Sequence, residues 1–129
     1  MKVRWKILIS PLEDFDKSRR HLLKSAELEL DRSASYADYA RTVWFEYRWR
    51  LKNDQVDCRK LSTQVEIILS HLKSTSHQPY LRSYFVRLLL LLPKNHTCNQ
   101  WPGLAQKQWQ LLNIEHAIIA SKINGLNFQ

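Results

Sequence analysis

The chain has 129 residues and carries 20 Lys and Arg against 12 Asp and Glu, a formal charge of +8. Hydrophobic residues at 44% are enough for one packed core and exclude a disordered chain, while 2 Gly and 4 Pro are too few turn-formers for a many-stranded sandwich or barrel. One domain is expected over residues 11–129, behind an extended arm or strand over residues 1–10.

Residues 2–9 alternate, with Val3, Trp5, Ile7 and Ile9 on one side and Lys2, Arg4, Lys6 and Leu8 on the other. Period two predicts a strand. A lone strand leaves both edges unpaired, so it must pair with Leu126–Phe128, with a second copy, or with another protein, or else lie on the bundle as an arm. The apolar run after the first basic residues is only Ile7-Leu8-Ile9, too short for a secretory leader.

Five helices are expected to follow, giving an all-α bundle. Ser10-Pro11-Leu12-Glu13 combines a capping Ser, Pro at the first helical position and Glu three residues after the cap, and opens a helix running to about Asp31. After Ser33-Ala34-Ser35, a second helix capped by Ser35 and Asp38 runs to about Lys52. Its expected core stripe is Tyr36, Ala40, Val43, Trp44, Tyr47 and Leu51. Asp54 opens a third helix to about Lys73, with Cys58, Leu61, Val65, Ile68, Leu69 and Leu72 facing inward. Pro79 opens a fourth that Pro93 stops; it is apolar nearly all round and belongs in the middle of the fold. The last spans about Pro102 to Asn124, with Gly125 as its C-terminal cap. Short connections predict that sequential helices are antiparallel neighbours. The greasiest segment, Tyr84 to Leu92, is nine residues long and includes Arg87, far short of the roughly 20 that cross a bilayer.

The charge is uneven. Residues 1–58 hold 12 basic and 10 acidic residues, whereas residues 59–129 hold 8 and 2, with no carboxylate side chain between Glu66 and Glu115. Such a stretch attracts polyanions or an acidic protein partner. On the second helix Arg41, Phe45, Arg48 and Lys52 recur at i, i+4, i+7 and i+11, flanked by Trp49. Guanidinium groups grip phosphates through paired donors, and aromatic rings stack bases. This face, with the cations Lys73, Arg82, Lys94 and Lys107, is therefore the expected nucleic-acid-binding surface. The alternative is a protein-interaction subunit that dimerises or binds a partner through Val3, Trp5 and Ile7 on the strand and through Trp101 as an exposed anchor.

Chemistry is sparse. His96 and Cys98 offer two zinc ligands where a structural site uses four. No glycine-rich phosphate loop, nucleophile elbow or His-Glu-x-x-His helix is present, so no enzymatic activity, metal or cofactor is expected. Two cysteines do not make a disulfide framework, although one bridge between them is the alternative to a free core Cys58. Asn95-His96-Thr97 matches a glycosylation sequon that would be unused in the expected intracellular setting, cytoplasmic or in the nucleus or nucleoid.

Overall fold

The computed structural model describes residues 11–28, 33–73 and 78–127, with backbone alone at residue 33 and from residue 123 on. Five helices make up the described residues: α1 Pro11–Leu28, α2 Ser33–Lys52, α3 Cys58–Lys73, α4 Pro79–Leu89 and α5 Pro102–Asn127. The expected N-terminal strand, with Val3, Trp5 and Ile7, lies outside them. No described helix is long and apolar enough to cross a membrane.

The boundaries follow local chemistry. Helix α3 begins four residues later than expected. Asp57, not Asp54, is its cap: its carboxylate accepts from the backbone N–H of Arg59 at 2.9 Å and of Lys60 at 3.3 Å. Asp54 instead closes α2 in the left-handed region, φ 53°. Gln55 N–H donates to Arg50 O at 2.8 Å and Asp54 N–H to Leu51 O at 3.4 Å, the paired bonds that satisfy a helix's last carbonyls. Helix α4 ends at Leu89, ahead of Pro93, which offers no N–H and disfavours helical backbone before it. Helix α5 runs through Gly125 to Asn127, so that glycine does not cap it.

Helix α2 is the hub, packing against α1, α3 and α4, while α5 packs on α4. The core gathers Tyr39, Ala40, Val43 and Tyr47 from α2, Leu61, Val65, Ile68 and Leu72 from α3, and Leu81, Phe85, Leu88 and Leu89 from α4. Ala105 of α5 joins it. Most of the expected stripes are thus confirmed, but Tyr39 replaces Trp44 at the centre of α2's buried face. Helix α4 is central as expected, yet Tyr80 and Leu90 at its two ends are solvent-exposed. The antiparallel expectation concerns sequential helices, so alternate ones run parallel, and one such pairing shapes the surface. Residues 34–41 of α2 meet 78–84 of α4, and Trp44 meets Tyr84 and Arg87, so these two helices run parallel with α3 as the return crossover.

Polar groups inside this core are paired, as a low-dielectric interior requires. Glu46 is 1% exposed; Arg19 of α1 donates to one carboxylate oxygen at 2.8 Å and Arg50 to the other at 2.7 Å. Arg50 also donates to Gln55 O at 3.0 Å, tying the clamp to the α2–α3 loop. Tyr39 donates to Gln64 across α2 and α3, and burial raises the Tyr39 hydroxyl above its ordinary value. Arg82 donates to both Glu115 and Gln108, locking α4 to α5.

Cys58 and Cys98 are joined in a disulfide with Cα atoms 5.0 Å apart, pinning the start of α3 to the α4–α5 loop. This corrects the expectation of a free core Cys58. An isolated bridge of this kind persists in an oxidising environment and is rare in a reducing one. It also removes Cys98 as a metal ligand. His96 beside it is engaged locally, its Nδ1 accepting the Cys98 backbone N–H at 3.0 Å.

Three stability outcomes follow from these contacts. Glu46→Ala leaves the buried Arg50 without its counter-charge and Arg19 with only its longer contact to Asp16, and should cost about 3 kcal/mol in a urea unfolding curve. Reducing the bridge, which spans a sequence separation of 40, should cost up to about 4 kcal/mol by loop-closure entropy, read as a lower thermal midpoint in reductant. His71 stacks on Tyr36 at 3.7 Å, and burial holds its pKa below the ordinary value. The fold therefore prefers neutral His71. Its contribution is complete above the unfolded value of about 6.5 and is lost as pH falls through the lower folded value. The thermal midpoint should drop between about pH 7.5 and about pH 5, and His71→Phe should flatten that part of the drop.

Candidate nucleic-acid interface

The outward face of α2 carries Arg41, Phe45, Arg48 and Lys52, all exposed, with the Phe45 ring 45% exposed. Their spacing places them on one side of a 3.6-residue helix. Glu46 lies roughly opposite Arg48 in angular position, so the clamp that turns Glu46 inward turns this face out.

The parallel packing of α4 adds a second row. Tyr80, Tyr84 and Arg87 sit at i, i+4 and i+7, the same spacing as Arg41, Phe45 and Arg48. The rows meet at the half-buried Trp44. The Arg48 guanidinium lies 4.7 Å from its ring centroid and that of Arg87 5.5 Å. Phe45 is tilted against the same ring at 4.9 Å and Tyr84 at 5.9 Å. Arg87 also lies over Tyr84 at 5.0 Å. Each such cation–ring contact is worth about 0.5–1 kcal/mol at an exposed site. Their larger consequence is orientation. A guanidinium lying against an aromatic face keeps its donor edge available for phosphate oxygens. Among the described residues no carboxylate pairs with Arg48 or Arg87, whereas Arg41 pairs with Asp38 at 3.4 Å.

Beside these rows, between the first turns of α2 and α4, lies an open cavity of about 470 Å³. Asp38, Arg41, Tyr80 and Tyr84 line it, and Tyr80 is 76% exposed. A second cleft, between α1, α2 and α3, holds Glu46, Arg19 and Arg50, whose charges already answer one another.

The remaining expected residues divide. Arg82 is not available for phosphate: it is buried in its pairing with Glu115 and Gln108, a correction to its expected role. Trp49 is half-buried, and its backbone carbonyl caps the end of α2 through the Asn53 side chain at 2.8 Å. Lys73, Lys94 and Lys107 are exposed but sit at the end of α3, on the α4–α5 loop and on α5, with no contact that joins them to the two rows. Trp101 is half-buried against the core rather than displayed as an anchor. The ring displayed on α5 is Trp109, 51% exposed.

Sequence reasoning missed Trp44, Tyr80, Tyr84 and Arg87. Their signal was the repeated spacing of α4, which became informative only once α4 was known to lie parallel to α2. Among the described residues no group of three His, Cys, Asp or Glu side chains could hold a metal ion. No family model, curated protein or solved structure matches this chain, so its function must be argued from these side chains alone.

Proposed function

We propose that this chain is a non-enzymatic nucleic-acid-binding module that grips single strands through the α2–α4 face. The observation that carries the reading is the placement of two guanidiniums, Arg48 and Arg87, on Trp44, without carboxylate partners among the described residues and beside the exposed Phe45. The cations contact phosphates while Phe45 and Tyr80 offer faces on which bases stack, each stacked base contributing about 1–3 kcal/mol. Duplex readout is not part of the reading, because the sequence carries none of the familiar groove-binding motifs.

A second reading is favoured by a different surface. Leu90, 59% exposed, and Trp109 border a cleft of about 570 Å³ that Pro93, Lys94 and Pro102 also line. With the cation on its wall, this cleft suits an acidic, apolar-faced segment of a partner protein or of a second copy.

Fluorescence anisotropy with labelled single strands at about 50 mM and about 200 mM salt separates the readings. Three engaged cations (Arg48, Lys52 and Arg87) give a slope of roughly −0.7 per phosphate contact, an affinity loss of about 20-fold over that range. Arg48→Ala combined with Arg87→Ala should weaken binding at least about tenfold and flatten the slope by about 1.4, with the thermal midpoint little changed. No binding at the lower salt leaves only the protein-partner reading.

A further inference from the structure

We infer that the cavity between the first turns of α2 and α4 is a base pocket selective for guanine. The inference rests on the nucleic-acid reading above and names what that surface recognises.

The cavity, about 470 Å³, is roomier than a purine ring needs. It has the two components of a base site. The first is a stacking wall. Tyr80 is mostly exposed and lies one turn from Tyr84, and Tyr84 is steadied by Trp44 at 5.9 Å and by the Arg87 guanidinium at 5.0 Å. The second is a polar edge. Asp38 and Arg41 stand one turn apart on the facing wall, with Arg41 Nη2 3.4 Å from Asp38 Oδ1 and both side chains 51% exposed. A pair this long and this wet contributes little to stability. It does fix a donor next to acceptors at the mouth of an aromatic-lined cavity.

That order of groups discriminates between bases. The pairing edge of guanine runs from the O6 acceptor to the N1–H donor to the N2–H donor. Arg41 donates to O6, and the two carboxylate oxygens of Asp38 accept from N1–H and N2–H. Uracil and thymine satisfy the first two positions but set their O2 acceptor against the carboxylate. Cytosine presents a donor to Arg41 and two acceptors to Asp38, the reverse of what the pair needs. Adenine presents its amino donor to Arg41 and an acceptor to Asp38. A mismatch leaves these groups to water instead of to the base, whereas a matched two-bond contact discriminates by about tenfold. From the pocket the strand continues past Tyr84 to Arg87 and Arg48, which take its phosphates.

The test uses the full chain and equal-length labelled oligouridines carrying one central guanosine, adenosine, cytidine or uridine, followed by anisotropy at about 50 mM salt. The guanosine strand should bind about tenfold more tightly than the other three. Replacing that guanosine with inosine, which lacks only the N2 amino group, should remove several-fold of the preference. Replacing it with 7-deazaguanosine should leave the preference intact, because N7 is not read. Asp38→Asn, which offers a donor where N1–H or N2–H needs an acceptor, should abolish the preference, so that the guanosine strand binds no more tightly than oligouridine. Equal binding of all four strands, or a preference that survives both inosine and Asp38→Asn, overturns the guanine pocket and leaves the strand-binding face standing. No binding to any strand overturns both.

Discussion

The rotation of α2 about its own axis decides which of its side chains face solvent, and Glu46 holds that rotation together with the buried Tyr39, Ala40, Val43 and Tyr47. A carboxylate at 1% exposure is tolerable only with both oxygens engaged, and Arg19 and Arg50 engage one each. Arg19 comes from α1 and ties α2 to it, while Arg50, one turn along α2, also holds the start of the α2–α3 loop. Turning α2 by one residue, about 100°, would strip Glu46 of its partners and drive Arg48 or Phe45 inward. The display of cations and rings outward is thus the mirror of a buried charge that cannot be moved.

Much of the bundle was legible in the sequence because its signals were local. Periodicity located all five helices, and Pro79, Pro93 and Pro102 punctuated them where backbone chemistry demands. The errors arose where two residues competed for one task. Asp54 and Asp57 both suit a cap; only the turn that closes α2 decides that the first takes the left-handed position and the second the cap. Trp44 and Tyr39 both suit a core face. Tyr39 is buried because its hydroxyl reaches Gln64 on α3, while Trp44 is left at the seam with α4. Neither choice can be read from a single helix.

The disulfide and the parallel pairing share that property. Cys58 and Cys98 lie on separate elements, and nothing in their spacing says that the α4–α5 loop folds back to the start of α3. Helix α4 likewise carries Tyr80, Tyr84 and Arg87 in a row that reads as part of an apolar core helix. It becomes a surface row only when α3 serves as the crossover and α4 lies alongside α2 in the same direction.

Net charge proved a poor guide to which cations are available. The formal +8 counts every arginine alike, yet the fold divides them by what each one meets. Arg19, Arg50 and Arg82 meet buried carboxylates and serve as internal braces, whereas Arg48 and Arg87 meet aromatic faces and keep their donor edges toward solvent. The division follows from energetics. A carboxylate in the interior needs hydrogen-bonding donors, and the forked guanidinium supplies several at fixed angles. Once those sites are filled, an arginine left at the surface gains more from lying on a ring than from a screened ion pair with a distant acid. A region without carboxylates, such as the stretch between Glu66 and Glu115, is therefore not uniformly attractive to anions. Within it Arg82 is taken up by Glu115 and Gln108, whereas Arg87 lies on the rings at the seam between α2 and α4.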